Sequence, residues 1–237
     1  RSELSIVCGF DAAASTKTVE EAFGDWKSAL PYTRVPDRHS DVAAMRKNID
    51  TPDKENGFYT ARVNLDLRDD DPDFPALTVA NHVFGGAGLN SRLMERIRQK
   101  DGLSYGGGSS LNVGALDRAA SFTISAIAAP QNLARLDAAI KDELARVLKD
   151  GFSAEELARA KSGILQQRMQ TRAQDGALAQ GWNSYVYLGR TFAWSKAFED
   201  KIAALTLDQV NAAFRKAIDP AKMTVVMAGD SAKMKTA

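Results

Sequence analysis

The clearest pattern in the chain lies between residues 61 and 67, where Ala61, Val63, Leu65 and Leu67 alternate with Arg62, Asn64 and Asp66. A period of two with one apolar and one polar face predicts a strand buried on one side only. Upstream, the short apolar run Leu4 to Gly9 reads as a buried strand leading into a helix over about residues 12–23, closed by Gly24. Residues 30–56 carry Pro31, Pro36, Pro52 and many charges with no sustained period, and read as a connector. Beyond the alternating strand, Asp69, Asp70 and Asp71 ahead of Pro72 predict a helix start, with acids at the positive end of the dipole. That helix is expected to run to Gly85-Gly86, and a second, short one to cover residues 91–100. Two strands follow, about 103–113 and 118–128. The short link between them, Gly114 to Asp117, predicts an antiparallel hairpin.

The remainder reads as helix. Leu133, Leu136, Ile140, Leu144, Val147 and Leu148 form one apolar stripe that Gly151 stops. Ser153 with Glu156 has the spacing of a capping box opening a long helix towards Tyr187, with interruption expected near Gly176 or Gly181. Thr206 with Gln209 opens another, ending near Ile218, and Met223–Met227 reads as the last strand. The segments 4–11 and 223–230 share the character of an apolar strand followed by Gly and Asp, as tandem domains in a longer parent would show. The chain opens on Arg1 with no charged-then-apolar leader, and is read as a piece of a longer protein. The organisation expected is a lead-in strand and helix over 1–29, a linker-like connector over 30–56 and a core α+β domain over 57–237, together one structural unit.

Composition narrows the function classes. With 237 residues, 44% hydrophobic and 26% charged, the chain can bury a sizeable core. Lys plus Arg total 31 against 30 acids, so no basic excess is available for a nucleic-acid partner. No apolar run of about 18 residues predicts a membrane span. The single cysteine, Cys8, excludes an internal disulfide, and His39 and His82 are the only histidines.

Four places carry candidate chemistry. Gly85-Gly86-Ala87-Gly88 is followed by Leu89-Asn90-Ser91, not by the Gly-Lys-Ser/Thr of a phosphate loop, and reads as a flexible turn between helices. Gly106-Gly107-Gly108 reads as backbone freedom early in a strand. A helical zinc motif of the His-x-x-Glu-His kind would place its ligands and base at Thr78, Asn81 and His82, where only one imidazole stands. No metal is therefore expected in this chain. The richest segment runs from Gly88 to Gly106 and holds Arg92, Arg96, Arg98 and Tyr105. On residue chemistry alone it is either a solvated basic helix face or an arginine–tyrosine pair converging on a carbonyl or oxyanion.

The run Gly88-Leu89-Asn90-Ser91-Arg92-Leu93-Met94, then Ile97-Arg98 and Gly102-Leu103-Ser104-Tyr105, closely resembles the C-terminal half of pitrilysin/insulinase-family zinc metallopeptidases, mitochondrial processing peptidase among them. Phe23-Gly24-Asp25-Trp26, residues 58–86, residues 151–161 and residues 205–230 extend the likeness over nearly the whole chain. The resemblance implies a LuxS/mitochondrial-processing-peptidase-like metallohydrolase fold, a mainly antiparallel sheet with helices packed on one side. It further implies two homologous halves closing as a clamshell, one holding zinc and the other, zinc-free, lending an arginine and a tyrosine seven positions apart. Arg98 and Tyr105 match that pair, as contributors to the partner's active site, and Gly88, Ser91 and Arg92 become candidate substrate contacts. Zinc is then a cofactor of the partner half only. That half is fused upstream or is a separate subunit, and peptide is the substrate. The parent is expected to be a bacterial zinc metalloendopeptidase and this chain inactive by itself. The rival expectation is a catalytically dead scaffold or peptide-binding domain of the same family.

Overall fold

In the computed structural model, which describes residues 3–234, helix α1 (Ala12–Phe23) precedes strands β1 (Arg46–Asp50) and β2 (Gly57–Leu65). Helices α2 (Phe74–Asn81) and α3 (Arg92–Met94) and strands β3 (Gly106–Asn112) and β4 (Ala120–Ala128) follow. Next come helices α4 (Leu133–Asp150), α5 (Ala154–Arg172), α6 (Asp175–Tyr187), α7 (Phe192–Ala204) and α8 (Leu207–Ala217). Strand β5 (Thr224–Gly229) and the short α9 (Ser231–Met234) complete the described chain. The residues fall into two units, one of 37–164 with 198–234 and one of 3–36 with 165–197.

The larger unit is an α+β layer. Its five strands run in the order β1-β5-β2-β4-β3, antiparallel at every pairing except β1 with β5, which is parallel. On β2 the alternation predicts the buried face: Tyr59, Ala61, Val63 and Leu65 are buried while Phe58 and Arg62 are exposed. On β4, Phe122, Ile124, Ala126 and Ala128 face the same way. The apolar stripe of α4 (Leu133, Leu136, Ile140, Leu144 and Val147) is buried in that layer, and Gly151 ends the helix at φ 81°. Phe84, Phe122 and Phe214 meet with ring centroids 5.9–6.0 Å apart, joining the wide turn His82–Gly86 after α2, the strand β4 and α8 into one core.

Both capping boxes form. Ser153 N–H donates to Glu156 Oε2 at 2.7 Å and Glu156 N–H to Ser153 Oγ at 3.2 Å. The Thr206–Gln209 pair closes in the same way at the start of α8. The helix from Ser153 breaks at Ala173-Gln174, just ahead of Gly176.

Three expectations fail. Leu4–Gly9 forms no strand. Leu4, Ile6 and Phe10 instead line a shallow groove with Thr16 and Val19 of α1, and Ser5 hydrogen-bonds Asn183 of α6 in the same unit. An apolar run becomes a strand only where a sheet edge accepts it. The supposed repeat of this strand at residues 223–230 thus matches β5 at one end only. The connector 30–56 contains β1, whose five residues are all exposed. Its sequence, Arg-Lys-Asn-Ile-Asp, has no buried face to generate a period, and short charged strands of this kind suit a sheet edge. Helix α2 starts at Phe74, with Pro75 in its first turn and Asp73 as N-cap, three residues beyond the acidic run.

Candidate functional site

The segment from Gly88 to Gly106 leaves the helical layer, turns, and enters β3. Gly88 sits at φ +60° and opens a tight 3-10 turn. Ser91, 1% exposed, caps α3: its hydroxyl donates to the Gly88 carbonyl at 2.7 Å and accepts from Met94 N–H at 3.4 Å. Leu93, Met94 and Ile97 anchor the inner face. From Glu95 to Lys100 the helix widens to i→i+5 bonding. A π-type turn changes which residues share a face, so side chains four apart no longer stack as they would in an α-helix.

The three arginines consequently have different fates. Arg92 reaches α5, where its Nη2 donates to Glu156 Oε2 at 2.7 Å and its Nε to the other carboxylate oxygen, while its guanidinium lies 5.5 Å above the Phe152 ring. The Glu156 hydrogen bond raises the Arg92 pKa against the burial that would lower it. Arg96 donates to Asp101 at 2.8 Å and pairs with Asp142 at 3.2 Å. Arg98 is exposed, with no hydrogen bond or ion pair among the described residues. The three arginines therefore do not share one solvated face. Ser91 and Arg92, named as substrate contacts from the motif, are occupied inside the chain, and Gly88 supplies the turn that Ser91 closes.

Downstream, the carbonyl of Ile97 accepts from both Leu103 N–H (2.8 Å) and Ser104 N–H (3.1 Å), after Gly102 at φ +61°. Ser104, buried, places its hydroxyl 2.8 Å from the Ile127 carbonyl and 2.9 Å from that of Gly106. Tyr105 N–H donates to the same Ile127 carbonyl at 3.0 Å. These bonds pin the backbone on both sides of Tyr105, whose side chain is 68% exposed. Sequence reading did not single out Ser104, since nothing in its type or spacing shows that it ties this turn to β4. Tyr105 lies at the rim of a cleft of about 710 Å³, with Glu55, Asn56, Gln131, Asn132, Arg135 and Lys233 around it. Arg98 is not among the lining residues, and no hydrogen bond or ring contact joins it to Tyr105.

The glycines have steric reasons. A Cβ on Gly85 would stand 2.5 Å from Ser109 N, and one on Gly108 2.8 Å from the Gly85 carbonyl. The wide turn His82–Gly86 after α2 thus lies directly on β3, where Ser109 Oγ also donates to Asn81 Oδ1 at 2.8 Å. One on Gly107 would meet Ser125 O at 2.5 Å. Close approach, not conformational freedom, requires glycine at these places.

Thr78, Asn81 and His82 do not compose a zinc site. Thr78 donates its hydroxyl to the Phe74 carbonyl and Asn81 is engaged by Ser109. His82 offers a lone imidazole, half-buried, whose pKa burial lowers. Among the described residues no three His, Cys, Asp or Glu side chains come together as a metal-holding group.

The larger unit is thus an α+β layer with a mixed sheet and helices on one face. The chain belongs to the family described as the peptidase M16 inactive domain, which matches residues 1–164. It is similar to a peptidase M16 inactive domain from Pseudomonas fluorescens, at 25% identity and a TM-score of 0.77, over 93% of this chain and 51% of that one. A protease from Helicobacter pylori shares the fold at 15% identity and a TM-score of 0.76, over 93% and 53% of the two chains. The periplasmic protease PqqL from Escherichia coli shares it at 18% and 0.69, over 93% and 24%. This chain therefore spans about half the length of the first two. No curated protein matches it.

Proposed function

We propose that this chain is the zinc-free half of a bacterial zinc metalloendopeptidase and acts on peptide only together with a homologous zinc-bearing half, fused or separate. One observation carries the reading. Of the motif's functional side chains, only Arg98 and Tyr105 are left exposed and without an internal partner, while Ser91, Arg92 and Arg96 are consumed in holding the helix. The partner half's zinc would supply the activated water. What this chain adds is a phenol carried on a backbone pinned to Ile127 and able to donate to a developing oxyanion, and a guanidinium free to hold a substrate carbonyl. Because no hydrogen bond joins Arg98 to Tyr105, the two would act on separate atoms of the substrate rather than as a hydrogen-bonded pair. The domain organisation we infer places the core in residues 37–164 with 198–234, with β1 of the connector 30–56 as its edge strand.

The test is turnover of a peptide substrate by the reconstituted two-half enzyme carrying Tyr105→Phe or Arg98→Gln, against Arg159→Gln on the exposed face of α5. Unchanged turnover in both site variants would leave a peptide-holding scaffold as the function.

A further inference from the structure

Across the open face of the sheet, at the end where the Tyr105 cleft lies, the strand register aligns one row of apolar side chains. Ile49 pairs with Ala228, Ala228 with Phe58, and Phe58 with Ile127, and Ile127 is in turn opposite Gly106, next to Tyr105. Ile49, Phe58 and Ile127 are each 42–46% exposed. Two rows further in, the same face becomes polar, with Thr224, Arg62, Thr123 and Ser110 aligned. Between them Lys47, Thr60 and Ser125 align with a single apolar residue, Val226, so the exposed large apolar side chains of the strands gather in the row beside the cleft.

The cleft has an unbalanced charge. Lys233 is held by Glu55 at 3.2 Å and also faces Asp230. Arg135, exposed in the first turn of α4, has no ion pair or hydrogen bond among the described residues. Gln131 and Asn132 stand beside it and offer neutral hydrogen-bonding groups. A guanidinium kept free in a cleft of this size is a determinant for a carboxylate.

We infer that this end of the sheet is a specificity subsite for an extended peptide that lays an apolar side chain on Phe58 and Ile127 and an acidic side chain against Arg135. The assignment deepens the proposed function and rests on its reading that Tyr105 faces substrate. The occupant is a peptide and not a small anion, because Ile127 of the apolar row is backbone-bonded to Tyr105, Tyr105 lines the cleft with Arg135, and one ligand must span from the row to the cation. Arg135 is a specificity residue here, and touches none of the reacting atoms.

The experiment measures binding, so that it stands apart from catalysis. Three short labelled peptides, alike except for Glu, Gln or Lys beside an apolar anchor, are titrated by anisotropy into the full-length protein with its partner half, under chelator so that nothing is cleaved. An exposed ion pair is worth up to about fivefold, and like-charge repulsion acts against the Lys peptide, so a Glu-over-Lys preference of about tenfold is expected. It should shrink at about 0.5 M salt. Arg135→Gln should abolish the preference, Arg135→Glu should invert it, and Arg159→Gln should leave it intact. Phe58→Ser should weaken all three peptides together. Equal binding of the three peptides, no binding of any, or a preference that survives Arg135→Glu overturns the assignment. Loss of turnover in Tyr105→Phe is read separately. If Tyr105→Phe turns over normally while Arg135 governs selectivity, the subsite stands and the oxyanion role falls.

Discussion

Arg92 on α3 and Glu156 on α5 are joined through both carboxylate oxygens, and one of those oxygens also accepts the Ser153 N–H that opens α5. A single carboxylate thus caps one helix and ties it to another. Burial alone would raise the Glu156 pKa, but the hydrogen bonds from Arg92 and Ser153 outweigh it and hold the carboxyl below its ordinary range.

Arg92→Ala should therefore act on stability. Both side chains are 15–20% exposed, so the loss should fall below the about 3–5 kcal/mol of a fully buried broken pair, at about 2–3 kcal/mol. Urea unfolding should show a lower midpoint at unchanged slope. A double variant with Glu156→Ala should cost less than the sum of the two single changes, and simple additivity would contradict the pairing.

The pH profile follows from the same carboxylate, from Asp137 and from His82. Burial would raise the Asp137 pKa, but hydrogen bonds from Arg46 (2.6 Å) and Lys141 (2.8 Å) bring it below normal. All three folded-state values are lowered, so the unfolded chain binds more protons and acid destabilises. The His82 contribution is complete above about pH 6.5 and fades as pH falls through its lowered folded value. The carboxylate contributions are complete above about pH 4.5 and fade below it. Unfolding free energy measured from pH 7.5 to 3 should fall in two limbs, and His82→Asn should flatten the upper one. Stability that rises between pH 7 and 5 would refute this.

Glycine substitutions separate packing from propensity. Gly85→Ala puts a methyl where Ser109 backbone stands, and should cost about 2–3 kcal/mol or prevent folding, as overpacking does. Gly176→Ala, on α6, meets nothing within 4 Å and should be neutral or stabilise by up to about 1 kcal/mol. Thermal unfolding of the two variants compares them directly.

In the reconstituted enzyme, Tyr105→Phe removes one hydroxyl from an exposed ring and should leave folding unchanged. If the phenol donates to the oxyanion, kcat falls by about 10²–10³ with little change in KM. Arg98→Gln should raise KM more than it lowers kcat. Arg92 and Arg96 are unsuitable controls, because their ion pairs make any loss structural.

Much of this protein is set by local rules. The alternation of β2, the stripe of α4, the two capping boxes and the β3–β4 hairpin are each decided by neighbours within a few residues, where side-chain period and cap chemistry act directly. The pair Arg98 and Tyr105 was singled out only by the resemblance of its motif to a known family, since residue types alone left two readings open. Tertiary structure alone decided the rest. Strand β1 exists because β5 offers it an edge, though its own five residues bury nothing. Leu4–Gly9 has a strand's composition and finds no edge among the described residues. Gly85 is glycine because Ser109 lies against it, and the distance between those positions appears in no local pattern. The separation of three similar arginines into a clamp, a surface pair and one free side chain depends on where Glu156, Asp101 and Asp142 arrive in space. Ion pairing between residues distant in sequence is a property of the assembled layer, and the chain by itself carries only the charges.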